Sequence, residues 1–186
     1  MTDESAGELI YLDPSSRFEL RQLGDHELEA AAEILKEATF SRSAPETREC
    51  IATIQANAKT MVIGGMLENV LVSAYVLTRD GMANEIALVA VDPAQRRRGI
   101  GRLMLQDALR RSGKRPLVAE TDEETLGFWK ACGFKLVGRR KHPSGAVRYR
   151  VGWHAPGLRF KGGSTGAMEP QSIGPNPVQK EEDQKQ

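Results

Sequence analysis

Residues 96–102 combine cations and glycines in a spacing that suits the binding of a phosphate group. The segment reads RRRGIGR, so Gly99 and Gly101 lie two residues apart among four arginines. Glycine has no side chain, and a ligand can therefore approach its main-chain N–H group closely. The first N–H groups of a helix lack acceptors within the helix and lie at the positive end of its dipole. The pattern predicts an anion site that suits a diphosphate better than a carboxylate or a single phosphate.

Two other phosphate-binding motifs do not match this segment. A P-loop requires Gly-x-x-x-x-Gly-Lys-Ser/Thr, and no such string occurs in the chain. A dinucleotide-binding fingerprint requires a third glycine, which is missing here. The remaining alternative is a solvated basic helix start in which the glycines serve close packing only.

Two motifs in the chain resemble signatures of the GNAT superfamily of acyl-CoA N-acyltransferases. The spacing Arg96-x-x-Gly99-x-Gly101, after a strand that ends in VAVDP, resembles the family segment Gln/Arg-x-x-Gly-x-Gly/Ala, which binds the pyrophosphate of acyl-CoA. The later segment FWKACGF, residues 128–134, resembles an aromatic helix-to-strand element of the family. The resemblance covers residues 18–154 and implies acetyl-CoA as the cosubstrate, with no metal.

The resemblance implies that residues around both motifs bind the coenzyme. Main-chain groups at the end of the strand before the turn would hold the pantetheine arm and polarise the thioester carbonyl. The implied contacts are Leu88, Val89, Val91, Arg96, Arg97, Arg98, Gly99, Ile100, Gly101, Arg102, Phe128 and Trp129. Arg97 stands where many members have glycine, which we expect to matter little because the main-chain amide remains.

Acyl transfer to an amine requires a base, because an amine with a pKa near 10.4 is neutral in only about one molecule in 2,500 at pH 7. Glu85 is the candidate, since a catalytic glutamate of the histone acetyltransferase branch occupies the same offset before the phosphate motif. Burial between strand and coenzyme would raise its pKa from about 4.3 toward 6–7, which suits a base that acts through water. The alternative is a solvated glutamate or one paired with an arginine.

The general acid usual in the family is absent from its usual position. Many members have a tyrosine where this chain has Trp129, and an indole cannot serve as that acid. We assign Tyr149 as the candidate, with Tyr75 and Cys132 as further candidates, although each of the three is more often a packing residue. The thiolate can also leave without a proton, because thiols have a pKa near 8.5.

Glu120 and Asp122 form a separate candidate pair that could orient a cationic amine. The alternative for both is a role in helix capping and dipole stabilisation. The chain also carries further arginines and lysines after residue 109, which we interpret mainly as a solvated face because no RNA-binding signature accompanies them.

Hydrophobic periodicity predicts an α/β (α+β) domain with a mixed, mostly antiparallel central sheet of six to seven strands flanked by about four helices. Strands are predicted over residues 18–23, 60–67, 70–78, 84–92, 116–120, 134–141 and 146–153. Helices are predicted over residues 25–39, 44–58, 99–113 and 121–133. The third helix should bury Leu103, and a capping box of Thr121 and Glu124 should begin the fourth.

Composition sets the broader expectations. Of 186 residues, 40% are hydrophobic, which predicts a folded protein, and a net charge of +1 excludes a global attraction to nucleic acid or to a membrane. No apolar run is long enough to span a bilayer, no signal peptide is visible, and the three histidines lack metal-ligand spacing. We expect a cytoplasmic monomer or homodimer with an N-terminal extension (1–16), an acyltransferase domain (17–154) and a disordered tail (155–186).

The sequence thus predicts an N-acetyltransferase that transfers an acetyl group from acetyl-CoA to a primary amine, directly and within a ternary complex. The amine could belong to a small molecule or to a protein. The alternative is a GNAT-like module that binds acyl-CoA or a protein partner without efficient turnover.

Overall fold

The structure is a computed structural model that describes residues 16–39, 41–56, 59–80, 83–113, 115–141 and 145–154. Residues 1–15 of the predicted extension, and the whole predicted tail, lie outside the described residues. The turns at Gly81 and at residues 142–144, which the sequence predicts to join neighbouring strands, also lie outside them.

Seven strands form one mixed sheet in the order β1-β2-β3-β4-β5-β7-β6. The strands are β1 (Phe18–Gln22), β2 (Thr60–Leu67), β3 (Val70–Asp80), β4 (Ala83–Val91), β5 (Leu117–Thr121), β6 (Lys135–Lys141) and β7 (Val147–Trp153). All neighbouring strands run antiparallel except β4 and β5, which are parallel. The predicted fold class, with its mostly antiparallel sheet, is confirmed.

Four α-helices flank this sheet. They are α1 (Leu28–Leu35), α2 (Ala44–Ala56), α3 (Ile100–Ser112) and α4 (Glu123–Ala131). The first predicted helix is shorter than expected, because its ends form 3-10 turns at Asp25–Glu27 and Lys36–Ala38. None of the helices in the described ranges is long and apolar enough to cross a membrane.

Each face of the sheet packs against its own pair of helices. Leu28 of α1 and Ile51 of α2 belong to a buried cluster with Val62 and Val76 of the sheet. A second buried cluster joins α3 and α4 to the sheet and includes Ile86, Met104, Leu117, Ala119, Trp129 and Val151. We call the two sides the α1/α2 face and the α3/α4 face. Since side chains alternate along a strand, these clusters establish where the remaining strand residues point.

The buried side of α3 differs from the prediction at two positions. Leu103 was expected in the core but is 37% exposed, whereas Asp107 is only 3% exposed. The Asp107 carboxylate accepts a hydrogen bond of 2.6 Å from the Tyr75 hydroxyl and another of 2.6 Å from Arg111 Nε, and Arg110 also donates to it. These partners satisfy the charge, so α3 can turn an acidic residue inward.

The same contacts exclude Tyr75 as a general acid. Burial and the hydrogen bond to Asp107 raise the pKa of Tyr75, and its proton is directed at Asp107. Tyr75 is 1% exposed and packs in the α3/α4 core. This candidate is therefore wrong, because the phenol is a buried structural donor.

The predicted capping box of α4 is also wrong. The cap residue is Asp122, whose carboxylate accepts a hydrogen bond of 2.9 Å from the Thr125 main-chain N–H. Thr121 is the last residue of β5 and is buried. The alternative interpretation of Asp122 as a helix cap is thus confirmed.

We predict that Asp107→Asn lowers the free energy of unfolding by about 1.5–3 kcal/mol at pH 7, because charged hydrogen bonds are lost from a buried site. Burial alone would raise the pKa of Asp107, but hydrogen bonds from Arg111, Tyr75 and Arg110 lower it overall. The carboxylate therefore stabilises the fold above its usual pKa of 3.8, and this contribution is lost as the pH falls through the lower pKa of the folded state.

Urea denaturation of both proteins between pH 7 and pH 2 measures this effect. The difference in stability should narrow at the acid end, where the wild-type carboxyl is protonated. A difference that is constant across the whole range would contradict the proposed role of the ionised group.

Candidate active site

Strands β4 and β5 separate after a short parallel ladder. Only three pairs join them, Asn84 with Leu117, Glu85 with Val118 and Ile86 with Ala119, while β4 continues to Val91. The pairing of β4 with β3 shifts at this same point, because Leu77 pairs with Ile86 and Val76 pairs with Leu88. Ala87 is the extra residue, and such a bulge bends a strand. The second half of β4 therefore borders a gap in the sheet rather than a neighbouring strand.

The main-chain groups of β4 that border this gap follow from the alternation of hydrogen bonds along a strand. The Asp92 N–H donates to the Val72 carbonyl at 2.8 Å, which directs it toward β3. N–H groups two residues apart on a strand point to the same side, so those of Ala90 and Leu88 also point toward β3. Val89 and Val91 direct theirs toward the gap. Of the three residues expected to hold a pantetheine arm, the gap thus receives main-chain donors from Val89 and Val91 but not from Leu88.

The turn between β4 and α3 leaves the start of the helix open. A 3-10 turn at Pro93–Gln95 begins it, with the Asp92 carboxylate accepting from the Ala94 N–H at 2.8 Å. Gly99 is the cap residue of α3 and has a φ of 83°, a left-handed conformation that favours glycine. A Cβ atom added at Gly99 would have no heavy atom within 4 Å. The space beside Gly99, at the start of α3, is therefore open in the described part of the chain.

Two of the four arginines hold the turn in place. Arg96 Nε donates to the Val91 carbonyl at 3.1 Å, and Arg96 Nη2 donates to Glu37 at 3.0 Å. Arg98 donates to the Gln95 side chain within the turn. Arg96 and Arg98 were predicted to bind phosphate, and the structure shows that they also position the loop. Glu37 was not predicted, because it lies 59 residues from Arg96 and no local pattern marks it.

Arg97 carries backbone strain. Its φ is 66°, a left-handed conformation that costs an L-residue roughly 1–2 kcal/mol. This conformation explains why glycine would fit the position more easily. The expectation that an arginine matters little at this position is therefore wrong with respect to backbone conformation. The main-chain amide is retained, as expected.

The second motif meets the first at Gly101. A Cβ atom on Gly101 would lie 3.1 Å from Cζ of Phe128, so the glycine permits close contact between α3 and the aromatic ring. Phe128 is 39% exposed, whereas Trp129 is 3% exposed. The Trp129 ring packs edge-on to Phe134, with the ring centres 4.9 Å apart. Phe128 is therefore accessible to a ligand at the start of α3, and Trp129 is a core residue.

Glu85 and Tyr149 lie on opposite faces of the sheet. Glu85 precedes Ile86, which points into the α3/α4 core, so the Glu85 side chain points to the α1/α2 face. Tyr149 is two residues before Val151, which also belongs to that core, and therefore points to the α3/α4 face. Each is half-buried. A substrate that passes through the gap between β4 and β5 would have a carboxylate on one side and a phenol on the other.

Two other candidates have defined surroundings. Burial raises the pKa of the Cys132 thiol, and the charge of Arg102 opposes this only in part. The Cys132 thiol therefore stays protonated at neutral pH. Glu120 accepts hydrogen bonds from Arg140 at 3.0 and 2.6 Å, which lower its pKa and keep it ionised. Within the described ranges, no group of three or more His, Cys, Asp or Glu side chains could hold a metal ion.

Comparison with known proteins finds a family model that matches the middle of the chain. Residues 57–136 match the family model of the acetyltransferase (GNAT) domain. The match contains both motifs in full, as well as β2 to α4. The match thus agrees with the resemblance drawn from the two motifs.

Solved structures show the same fold. A GNAT family acetyltransferase from Elizabethkingia anophelis with acetyl-CoA bound has a TM-score of 0.59 at 16% identity, over 74% of this chain and 98% of that one. A Bacillus subtilis acetyltransferase in complex with CoA has a TM-score of 0.59 at 17% identity, over 75% of this chain and 99% of that one. At these identities the likeness concerns the fold alone.

A curated relative is closer in sequence but much longer. An uncharacterized protein from Mycobacterium leprae is 34% identical over 104 residues, which represent 50% of this chain and 29% of that protein. The matched part is thus less than a third of the relative's length.

We predict that Arg97→Gly is more stable than Arg97→Ala by about 1 kcal/mol, because only glycine relieves the left-handed strain. Both changes remove the same cation, so the comparison isolates the backbone. Thermal and urea unfolding of the two variants provide the measurement. Equal stabilities would show that residue 97 is not strained.

Proposed function

We propose that the protein is an N-acetyltransferase that transfers an acetyl group from acetyl-CoA to a primary amine, by direct transfer within a ternary complex. The observation that carries this proposal is the open start of α3 at Gly99, which follows directly from the strand that borders the gap. The GNAT domain match supports it, as do the acetyl-CoA and CoA bound in structures of the same fold. In this proposal the acyltransferase domain spans residues 17–154.

The diphosphate of the coenzyme would accept hydrogen bonds from the main-chain N–H groups of residues 99–102. Arg97 and Arg102 are exposed beside this site and would add positive charge, while Arg96 and Arg98 hold the turn. Val89 and Val91 would donate their N–H groups to the pantetheine arm in the gap. The exposed Phe128 ring would cover the start of the helix beside Gly101.

The coenzyme supplies an acetyl group activated as a thioester. Glu85 would accept a proton from the acceptor amine through a water molecule, which leaves a neutral nitrogen that can form the C–N bond. The Val89 N–H would donate a hydrogen bond to the carbonyl oxygen of the thioester, where negative charge develops. Tyr149 would give a proton to the sulfur as the C–S bond breaks, or the sulfur leaves as a thiolate.

One observation favours the alternative of an acyl-CoA-binding module with little turnover. Trp129 occupies the position of the family's usual acid, and the structure buries it in the core. Thiol release from acetyl-CoA, measured with panels of amines and peptides, separates the two functions. Turnover with any of them supports the enzyme, whereas tight CoA binding without turnover supports the module.

We predict that Gly99→Glu abolishes measurable CoA binding, because the carboxylate would stand against the diphosphate. Gly113→Glu is the matched control. Gly113 caps the other end of α3, also has a positive φ, of 64°, and also has open space at its Cβ position. Isothermal titration calorimetry should therefore show CoA binding to Gly113→Glu but not to Gly99→Glu. Equal affinities of the two variants would refute the phosphate site.

We predict that Glu85→Gln lowers kcat by about 10²–10⁴-fold, the usual contribution of a general base. CoA affinity should stay unchanged, since Glu85 lies outside the phosphate turn. Glu49→Gln, on the exposed side of α2, is the charge-matched control and should keep full activity. A Glu85→Gln enzyme with wild-type kcat would exclude this base.

A further inference from the structure

The half of the α1/α2 face formed by β5, β7 and β6 carries a cluster of charges around Glu120. Leu117, Ala119 and Val151 belong to the α3/α4 core, so Glu120 and Arg150, which pair across β5 and β7, point to the opposite face. Arg148 lies two residues before Arg150 and points the same way. Arg140 pairs with Arg148 in register and reaches Glu120 with two hydrogen bonds.

Three guanidinium groups lie close to Glu120 in this cluster. One carboxylate, Glu120, has three guanidinium groups around it, and all three lower its pKa, Arg140 most strongly. Arg148 Nη2 also approaches the Glu120 carbonyl oxygen, at 3.5 Å. Burial raises the pKa of Asp122, but hydrogen bonds from Thr125 and the charge of Arg148 lower it overall. Counting Glu85 and Asp122, the balance is three positive charges against three negative ones. The Arg140 side chain is 61% exposed, so an anionic ligand can reach it.

The cluster belongs to the same face as the proposed base. Glu85 and Val118 are a pair in the short β4–β5 ladder, and Glu120 follows Val118 on that face. The charge of Glu85 contributes to the raised pKa of Arg140, although the hydrogen bond to Glu120 contributes more. An amine that reaches Glu85 would therefore lie beside the arginines.

An apolar floor adjoins the charges. A Cβ atom on Gly152 would lie 3.4 Å from Val137 and 3.8 Å from Val118, which places both valine side chains on this face. Val137 is 52% exposed. Helices α1 and α2 pack over β2 to β4 instead, so this surface is accessible in the described part of the chain.

We propose that this surface selects an acceptor that carries a carboxylate in addition to its primary amine. The arginines would bind the carboxylate, as guanidinium groups do with paired hydrogen bonds, and the two valines would contact the carbon skeleton. Glu120 would position Arg140 rather than act as a base, because both of its carboxylate oxygens already accept hydrogen bonds from Arg140. This inference rests on the proposed acetyltransferase function.

The test uses amines in matched pairs, each as the free acid and as its carboxamide. Suitable pairs are leucine and leucinamide, phenylalanine and phenylalaninamide, β-alanine and its amide, and 5-aminopentanoate and its amide, which vary the distance from amine to carboxylate. Thiol release from acetyl-CoA is measured for each with the full-length protein. We expect at least one acid to exceed its amide about tenfold or more in kcat/KM, the effect of one charged hydrogen bond.

Variants then assign the preference to the cluster. Arg148→Gln combined with Arg150→Gln should remove this preference by raising the KM of the acid, while the amide's kcat/KM and the affinity for CoA stay unchanged. Arg139→Gln is the control, because Arg139 pairs with Tyr149 and therefore lies on the α3/α4 face, so this substitution removes a positive charge from the other side of the sheet. It should keep the preference for the acid.

Other results would overturn the inference in distinguishable ways. Transfer to amides at equal or higher rates, or a preference that survives the double variant, would overturn the acidic acceptor but leave the acetyltransferase in place. A protein that transfers acetyl to none of these acids or amides, but to another amine or peptide, would overturn the acidic acceptor alone. A protein that binds CoA but transfers acetyl to none of these compounds and to none of the amines and peptides of the wider panel would overturn both proposals.

Discussion

Strand β4 has its parallel partner for only three residue pairs, and this early separation determines where the rest of the site can form. Beyond Ile86 the main-chain donors of Val89 and Val91 face a gap, not another strand. A buried donor without a partner is costly, so the gap either admits water or receives a ligand with acceptors of its own. The bulge at Ala87 bends β4 at this point, and the strand then leads straight into the turn before α3.

The turn between β4 and α3 places the open start of the helix next to the gap between β4 and β5, and the two together can form a binding site. Arg96 connects it to the Val91 carbonyl and to Glu37 beyond α1, so both the strand end and the first helical layer hold the loop. The strained backbone of Arg97 persists because these contacts and the 3-10 turn determine the path of the chain around it. A loop held in this way loses little conformational freedom when an anion binds.

Local signals in the sequence predicted much of this arrangement. The bounds of α3, from Gly99 to Gly113, followed from glycines that flank an apolar periodicity, and the hairpin from β2 to β3 followed from its turn residues. Both motifs were expected to bind the coenzyme, but the contact between Gly101 and Phe128 was not predicted and is seen only in the structure. Asp107 could not be predicted as buried, because its partner Tyr75 lies 32 residues away. Glu37 could not be predicted either, because its partner Arg96 lies 59 residues away. The positions of Glu85 and Tyr149 on opposite faces depend on strand register, which the sequence does not reveal.

The most direct test of the proposed diphosphate site is a crystal structure of the protein soaked with CoA, which locates the phosphorus atoms of the coenzyme. The account predicts both atoms of the diphosphate at the start of α3, with its oxygens within hydrogen-bond distance of main-chain N–H groups in residues 99–102. It also predicts the pantetheine arm in the gap between β4 and β5. Diphosphate bound elsewhere on the protein, with the start of α3 facing only water, would contradict it.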